Sequence, residues 1–453
     1  MNDIKRNLRV IFFFFFIMFA FLTGFIVHFE IVRSSSIVNS TLNPRINRNR
    51  ENVIRGNIYD INGNLLVSQS EYERTYIYGE SFAHTLGFTN RGRSGIEERY
   101  NFRLLNLSLE LLQRINYISF GTLMEGDSLK TTLDRGLQNF AHSQLGNNRG
   151  SIVVLDVNTG AIRAMVSNPA FNPNTINENW DSLIAAPHSP FLNRASQGLY
   201  PPGSTFKVIT SILGLRLAPY FTHYCDGYII IDGHRINNFN NVAHGNIDMT
   251  RAFALSCNTF FVALANYIGI TEFSYYASEF FPEIDFSLAH SPSVFNLTYE
   301  DSIAMLMQTS IGQGQTLVNP LYLALLAASV ANGGEMPHPF IVNNSISYNG
   351  NYTRFTRIRT TRIFESYYAN ILKEMMGLVV TEGTGIAASL QNYSLAGKTG
   401  TAEVFGADSH GLFMGFAPIE NPRYAIAVVL ENSGGTGPVQ PIVRNVLNFA
   451  FNN

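Results

Sequence analysis

The spacing of apolar and polar residues divides the chain before any motif is considered. Val10–Val27 carries no charge and contains five consecutive phenylalanines, Phe12–Phe16. About 20 apolar residues are needed to cross a bilayer core, so this run reads as a membrane-spanning helix. Lys5, Arg6 and Arg9 precede it, and positive charge holds the flanking end in the cytoplasm. A cleaved signal peptide would have a shorter apolar core followed by a small-x-small site. His28–Arg33 follows instead. The reading is an uncleaved anchor, with everything after about residue 30 outside the cytoplasm. Residues 34–55 are polar and include Arg45, Arg48, Arg50 and Arg55. Such a run is a solvated linker or, alternatively, a face drawn to anionic lipid.

Period-two stretches then alternate with helical ones. Ile58–Asp60 and Leu65–Val67 flank Asn62-Gly63, a hairpin signal. Gly92–Tyr100 reads as a loop entering a helix, and Thr131–Gln138 opens a helix with Asp134 as N-cap. Ser151–Asp156 and Ala161–Ser167 form a second hairpin around Val157–Gly160. Phe171–Ser189 reads as loop. Pro201, Pro202 and Gly203 punctuate the chain, and Phe206, Val208, Ile209, Ile212 and Leu213 then recur at helical spacing. A further helix begins near Asp248. Ala396–Val404, Leu412–Ala417 and Tyr424–Leu430 make a meander, closed by a helix over 441–451. The expected fold is α+β: an antiparallel sheet flanked by helices, behind one N-terminal anchor and a smaller domain.

Composition adds limits. A chain of 453 residues with 46% hydrophobic and 14% charged positions suits two domains with ample core. A net charge of −2 argues against a general nucleic-acid binder. The two cysteines, Cys225 and Cys257, supply neither a disulfide framework nor a metal cluster, although a single bridge between them is open outside the cytosol. The ten histidines show no paired ligand spacing. Neither a metal nor a cofactor is expected.

Chemistry concentrates in three places. Ser204 stands at the mouth of a helix with Lys207 three residues on, close enough on one helical face to meet it. Alone this is a serine cap and a surface lysine. Ser256-Cys257-Asn258 could likewise cap a helix, and Lys398-Thr399-Gly400-Thr401 could be an edge-strand face. Together, Ser-x-x-Lys, Ser-x-Asn and Lys-Thr-Gly occur in the order that marks penicillin-recognising serine acyl-transferases.

On these residues the chain resembles class B penicillin-binding proteins, the monofunctional D,D-transpeptidases of peptidoglycan synthesis, of the compact short-pedestal type. Tyr200–Lys207 matches the nucleophile motif residue for residue. Ser256-Cys257-Asn258, His244-Gly245, Gly312-Gln313-Gly314 and Lys398–Glu403 match as well, as do Arg55–Asp60, Gly92–Tyr100 and Thr132–Gln138 ahead of them. Ile61 and Leu412 depart from the usual pattern without touching the chemistry. The resemblance implies a cytoplasmic tail over 1–9, an anchor over 10–29, a pedestal over 30–146 and a transpeptidase domain over 147–453.

It also implies site roles. Ser204 is the nucleophile and Lys207 its base, kept neutral by burial and by Lys398. Ser256 relays a proton, Asn258 holds a substrate amide and hydrogen-bonds Lys207, and Lys398 supplies positive field. Thr399, Gly400 and Thr401 form the carboxylate-binding strand, and the backbone N–H groups of Ser204 and Thr401 form the oxyanion hole. Cys257 reads as a packing thiol, His244 as a loop-ordering residue, His410 as part of an exposed turn or, alternatively, of the pocket wall, and Glu403 as a packing or pairing residue. The implied partners are stem peptides, β-lactam antibiotics, a membrane-embedded glycan polymerase and the elongation or division machinery, on a single-pass bacterial membrane protein. A D,D-carboxypeptidase or serine β-lactamase would need a base for water, often a Glu between the second and third motifs; the region 271–300 offers Glu272, Glu279, Glu283 and Glu300, without a recognisable motif. A non-catalytic sensor or scaffold is the remaining alternative.

Overall fold

The computed structural model describes residues 2–29, 53–70, 73–106, 124–347, 349–355 and 357–452. Most of the polar run 34–55, with Arg45, Arg48 and Arg50, lies outside the described residues. The apolar run is one helix, Asn2–His28. At about 1.5 Å per residue it is about 40 Å long, enough to span a bilayer. Its side chains from Phe12 to Phe16 are all exposed. With a mean hydropathy of 2.8 over its 18-residue apolar window, it is the one helix among the described residues that is long and apolar enough to cross a membrane.

The main sheet has five antiparallel strands in the spatial order Ala396–Val404, Ala407–Ala417, Tyr424–Leu430, Gly150–Asp156, Ile162–Asn168. Its chemistry follows from period-two alternation. Ile152, Val154, Phe413, Ile426 and Val428 point into one core with Leu137, Ala141, Val443 and Leu447 from the helices Arg135–Leu145 and Val439–Asn452. Val153, Leu155, Leu412, Met414, Ala425 and Ala427 point the other way, onto the wholly buried helix Pro320–Ala331 and onto Ser366–Thr381. Tyr424–Leu430 is buried at every position, as a strand covered on both faces must be. Ala396–Val404 is an edge strand, so its outer side is free to face a cleft.

A second sheet of six strands runs Tyr352–Arg354, Val342–Ile346, Ser128–Thr131, Ile58–Tyr59, Leu65–Gln69, Arg74–Tyr76. It draws strands from both ends of the chain: Val342–Ile346 pairs antiparallel with Ser128–Thr131. The hairpin forms as expected, with Asp60 Oδ1 accepting from the N–H groups of Asn62 (2.8 Å) and Asn64 (2.7 Å). Asp134 caps its helix by accepting from Leu137 N–H at 2.9 Å.

Beside this sheet a buried ion cluster ties Arg55 to the segment 92–100. Glu97, fully buried, accepts from Arg55 Nε at 2.6 Å and from Arg74 Nε at 2.8 Å. Arg55 also donates to the Asn101 side chain and to the Glu97 carbonyl. Burial alone would push the Glu97 carboxyl up; Arg55 and Arg74 outweigh it and hold it below its ordinary value. The segment 92–100, which reads as chemically silent in sequence, thus carries a structural charge whose second partner, Arg74, has no local sequence signal.

One expectation is corrected. Phe171–Ser189 is not loop throughout: Pro173–Thr175 is a short 3-10 turn and Ile176–Ala185 a helix. The Asn-rich opening suggests a turn, yet Ile176, Trp180 and Leu183 recur at helical spacing and pack with Phe88, Phe171 and Phe191. Apolar contact made elsewhere in the chain decides the element.

Replacing Glu97 by Ala leaves two buried guanidinium groups uncompensated, and breaking such a cluster costs about 3–5 kcal/mol. Thermal unfolding of Glu97→Ala should show a large drop in Tm, whereas a Tm within a degree of the wild type would remove this cluster from the account of the smaller domain.

Candidate active site

The three motifs converge in one cleft. Tyr200–Lys207 makes the turn. Gly203 has φ +52° and opens a 3-10 turn, Gly203–Phe206, that runs directly into the helix Lys207–Leu217. A Cβ on Gly203 would lie 2.3 Å from the Thr401 carbonyl oxygen. Only a glycine combines that φ with so close an approach. The contact sets the backbone of Thr401 beside Ser204. Gly203 N–H also donates to the Gly312 carbonyl at 2.8 Å, which explains the Gly-Gln-Gly motif as the floor of the turn. Ser204 is partly exposed while its neighbours Gly203, Thr205, Phe206 and Lys207 are buried. The hydroxyl therefore sits at a surface opening on a rigid base.

Ser256 lies in the break between the helices Met249–Ala254 and Asn258–Ile268. Its φ is +56°, a left-handed conformation that non-glycine residues hold only where surroundings impose it. Cys257 N–H donates to the Ala252 carbonyl at 2.8 Å and Ser256 N–H to the Phe253 carbonyl at 3.1 Å, which fixes the break. In consequence the Ser256 carbonyl, the Ser256 hydroxyl and the Asn258 side chain all face Lys207.

Lys207 is wholly buried. Its Nζ lies 2.7 Å from Ser256 O, 2.6 Å from Asn258 Oδ1 and 3.3 Å from Ser256 Oγ. Two short bonds to acceptors that cannot donate match the two N–H bonds of a neutral amine. They leave the lone pair for a hydroxyl. Burial pushes the Lys207 amine down to about 7. Lys398, also wholly buried, donates to Ser256 Oγ at 2.9 Å and to the Thr399 carbonyl at 3.2 Å. Burial first, and the Lys207 charge second, hold Lys398 well below its ordinary range. The Nζ atoms lie over aromatic faces, Lys207 at 5.4 Å from Phe261 and Lys398 at 5.6 Å from Phe253, which offsets part of the cost of a charge there.

The Lys207–Asn258 hydrogen bond is the one the resemblance implies; the bonds from the same amine to Ser256, 49 residues away, were not expected. The edge strand contributes unequally. Thr401 is exposed and Thr399 only 4% exposed. The Thr399 hydroxyl lies 2.6 Å from that of Thr384. Thr384 was missed: its only local signal is the Glu382-Gly383-Thr384-Gly385 turn after a helix. Tyr200 donates to Glu431 Oε1 at 2.8 Å, and so does Arg194 Nε. This pins the start of the turn to the end of the central strand. His410 is not in an exposed turn. It lies in the strand Ala407–Ala417, its ring 5.5 Å edge-on to Tyr200 and its Nδ1 accepting from Asn432 N–H. The extended pairing of that strand with the motif strand draws it inward.

Folding also assembles a donor set that sequence spacing concealed. Cys225, His244 and Cys257 place their ligand atoms within 4.8 Å of one another, where two thiols and an imidazole could hold a zinc-like cation. His244 N–H donates to the Cys225 carbonyl at 3.1 Å, so it also orders the loop. Glu272, Glu279, Glu283 and Glu300 are all on the exposed surface, and among the described residues no carboxylate hydrogen-bonds Lys207, Ser256 or Lys398. Among the described residues, no carboxylate is thus poised in the cleft to activate water.

The model of the penicillin binding protein transpeptidase domain matches residues 150–448. The peptidoglycan D,D-transpeptidase MrdA of Acinetobacter baumannii is 30% identical over 84% of this chain and 66% of its own length. The peptidoglycan D,D-transpeptidase PbpA of Mycolicibacterium smegmatis is 31% identical over 80% of each chain. Among solved structures, penicillin-binding protein A from M. tuberculosis as its imipenem acyl-enzyme superposes with a TM-score of 0.80 at 27% identity, covering 88% of this chain and 99% of that one.

Thr384→Val keeps the shape and removes the partner of the buried Thr399 hydroxyl, a loss of about 1–3 kcal/mol. A lowered Tm together with an unchanged Tm in the double variant Thr384→Val/Thr399→Val relative to the single one would show the pair; additive losses would contradict it.

Proposed function

The chain belongs to the class B penicillin-binding proteins, a family of serine peptidoglycan D,D-transpeptidases, and on that premise we propose that Ser204 is its nucleophile and Lys207 its general base. The observation that carries this reading is the buried amine network. Two lysines share the hydroxyl of Ser256, one of them brought to about 7 by burial. A base must be unprotonated near neutral pH, and burial supplies that.

Lys207 takes the Ser204 hydroxyl proton as Oγ attacks the carbonyl of the penultimate D-alanine. The tetrahedral oxyanion accepts from the N–H groups of Ser204 and Thr401, whose backbones Gly203 brings together. Ser256, bonded to both amines, passes a proton to the departing D-alanine nitrogen. The C–N bond breaks, and the acyl group stays on Ser204. The amine of a neighbouring stem peptide then attacks that ester and restores the serine. Asn258 Nδ2, which donates to the Asn237 carbonyl at 2.8 Å, is held at the cleft wall where a substrate amide would lie. The substrate's terminal carboxylate sits on the exposed Thr401, with Thr399 and Gly400 shaping the strand. Its negative charge would raise Lys398 and keep the proton there, so that Lys207 remains neutral.

A β-lactam carries the same carboxylate and acyl carbonyl, and stalls at the acyl-enzyme because no carboxylate among the described residues is placed to activate water. In the organisation proposed, residues 1–9 are cytoplasmic, 10–29 span the membrane, 30–146 form the pedestal and 147–453 the transpeptidase domain outside the cell. The pedestal surface over Arg55–Tyr100 is the contact for a membrane-embedded glycan polymerase of the elongation or division machinery.

Fluorescent penicillin should label the wild type with one equivalent and leave Ser204→Ala unlabelled while its Tm persists. Sustained turnover of a chromogenic β-lactam would instead establish a hydrolase and overturn the transpeptidase reading.

A further inference from the structure

Directly behind the second motif lies a feature that the acylation chemistry does not use. Cys225 ends the strand Thr222–Cys225. Cys257 is the residue between Ser256 and Asn258, immediately before the helix Asn258–Ile268. Both are free and both have 0% exposure. Their sulfurs are 3.5 Å apart, although 32 residues separate them in the chain. We propose that Cys225 and Cys257 form a reversible disulfide, and that closing it slows acylation at Ser204.

The chemistry balances with a low-molecular-weight or protein disulfide as oxidant. One cysteine thiolate attacks a sulfur of the oxidant and expels a thiolate. The second cysteine, as thiolate, attacks the mixed disulfide and expels the other. The pair loses two protons and two electrons, and the oxidant leaves as two thiols. On the topology proposed above the site lies outside the cytoplasm, where disulfides persist. Access runs through the segment that covers the pair. Asn238 Nδ2 lies 3.0 Å from Cys225 Sγ and its Oδ1 3.7 Å from Cys257 Sγ. The adjoining Phe239 is 83% exposed and Val242 50% exposed. Asn240 and Asn241 there both have positive φ, 53° and 54°, so the cover is an exposed turn rather than a packed element.

The coupling to the active site is geometric. A disulfide needs its sulfurs about 2.05 Å apart, so closure draws them together by roughly 1.5 Å. Cys257 has no slack to absorb its share. Its neighbour Ser256 is already in a left-handed conformation and bonds Lys207 through O and Lys398 through Oγ. Its other neighbour, Asn258, holds Lys207 at 2.6 Å. A shift of about 1 Å in catalytic groups costs on the order of a hundredfold in rate. The expected effect is at least a tenfold fall in acylation.

The inference rests on the reading of Ser204 as the acylated residue, and the test separates the two. The full chain in detergent is equilibrated with excess dithiothreitol or with excess oxidised glutathione. Intact mass, peptide mapping and the rate of labelling by fluorescent penicillin are then measured on each sample. The oxidised protein should lose about two mass units for the two thiol hydrogens, give a peptide linking Cys225 to Cys257, and label at least tenfold more slowly. Dithiothreitol should restore the rate. In Cys225→Ser the ratio of oxidised to reduced rates should be one. Cysteines that both remain alkylatable after oxidation and denaturation, whether free or metal-held, overturn the proposal, as does a mapped bridge with an unchanged labelling rate. A reduced wild type that does not label at all overturns the acylation reading and the switch with it.

Discussion

Two lysine amines inside one protein, both wholly buried and both bonded to the hydroxyl of Ser256, are the constraint on which the rest of the site depends. Burying one ammonium is costly, and burying two within reach of a shared hydroxyl is more so. The structure resolves this by shifting protons rather than by pairing charges, since no carboxylate among the described residues bonds either amine. Lys207 falls to about 7 and Lys398 falls well below its ordinary range. The base that acyl transfer requires is therefore a result of packing. On the function proposed, an incoming carboxylate would supply the missing countercharge and sort the remaining proton onto Lys398.

Much of the fold exists to hold that arrangement. The left-handed Ser256 directs a carbonyl, a hydroxyl and the Asn258 side chain at one amine. The edge position of Ala396–Val404 leaves its outer side open to a substrate strand. Gly203 lets the nucleophile turn lie on Thr401, and Glu431 with Arg194 anchors Tyr200 at the other end of that turn. Away from the cleft, the Arg55–Glu97–Arg74 cluster ties the segment 92–100 to Arg55 and to the strand Arg74–Tyr76.

The three motifs were legible because their chemistry is local. Ser204 and Lys207 share a helix start, Ser256 and Asn258 a helix break, and Lys398 to Thr401 a strand. The antiparallel hairpins and the flanking helices were legible from period two and period 3.6. Contacts made across the fold were not. That the Lys207 amine bonds Ser256, that Thr384 supports Thr399, and that Glu97 takes Arg74 as a second partner each depend on which way a buried side chain turns. The convergence of Cys225, His244 and Cys257 is of the same kind: their spacing fits no ligand pattern, and only the pairing of the Thr222–Cys225 strand with Gly245–Asp248 brings them together. The helix Ile176–Ala185 escaped notice because its Asn-rich approach resembles a turn, and its apolar stripe gains meaning only against Phe88 and Phe191.

The central claim is that Lys207 acts as a neutral base, and the pH dependence of the second-order rate of acylation at limiting penicillin tests it most directly. That rate reports the ionisation of the ligand-free site. Below about 7 Lys207 is protonated and the rate should fall about tenfold per pH unit; above it the rate should be level. A rate that goes on rising through pH 8 toward the ordinary lysine range, or one that falls as Lys207 loses its proton, would contradict the account.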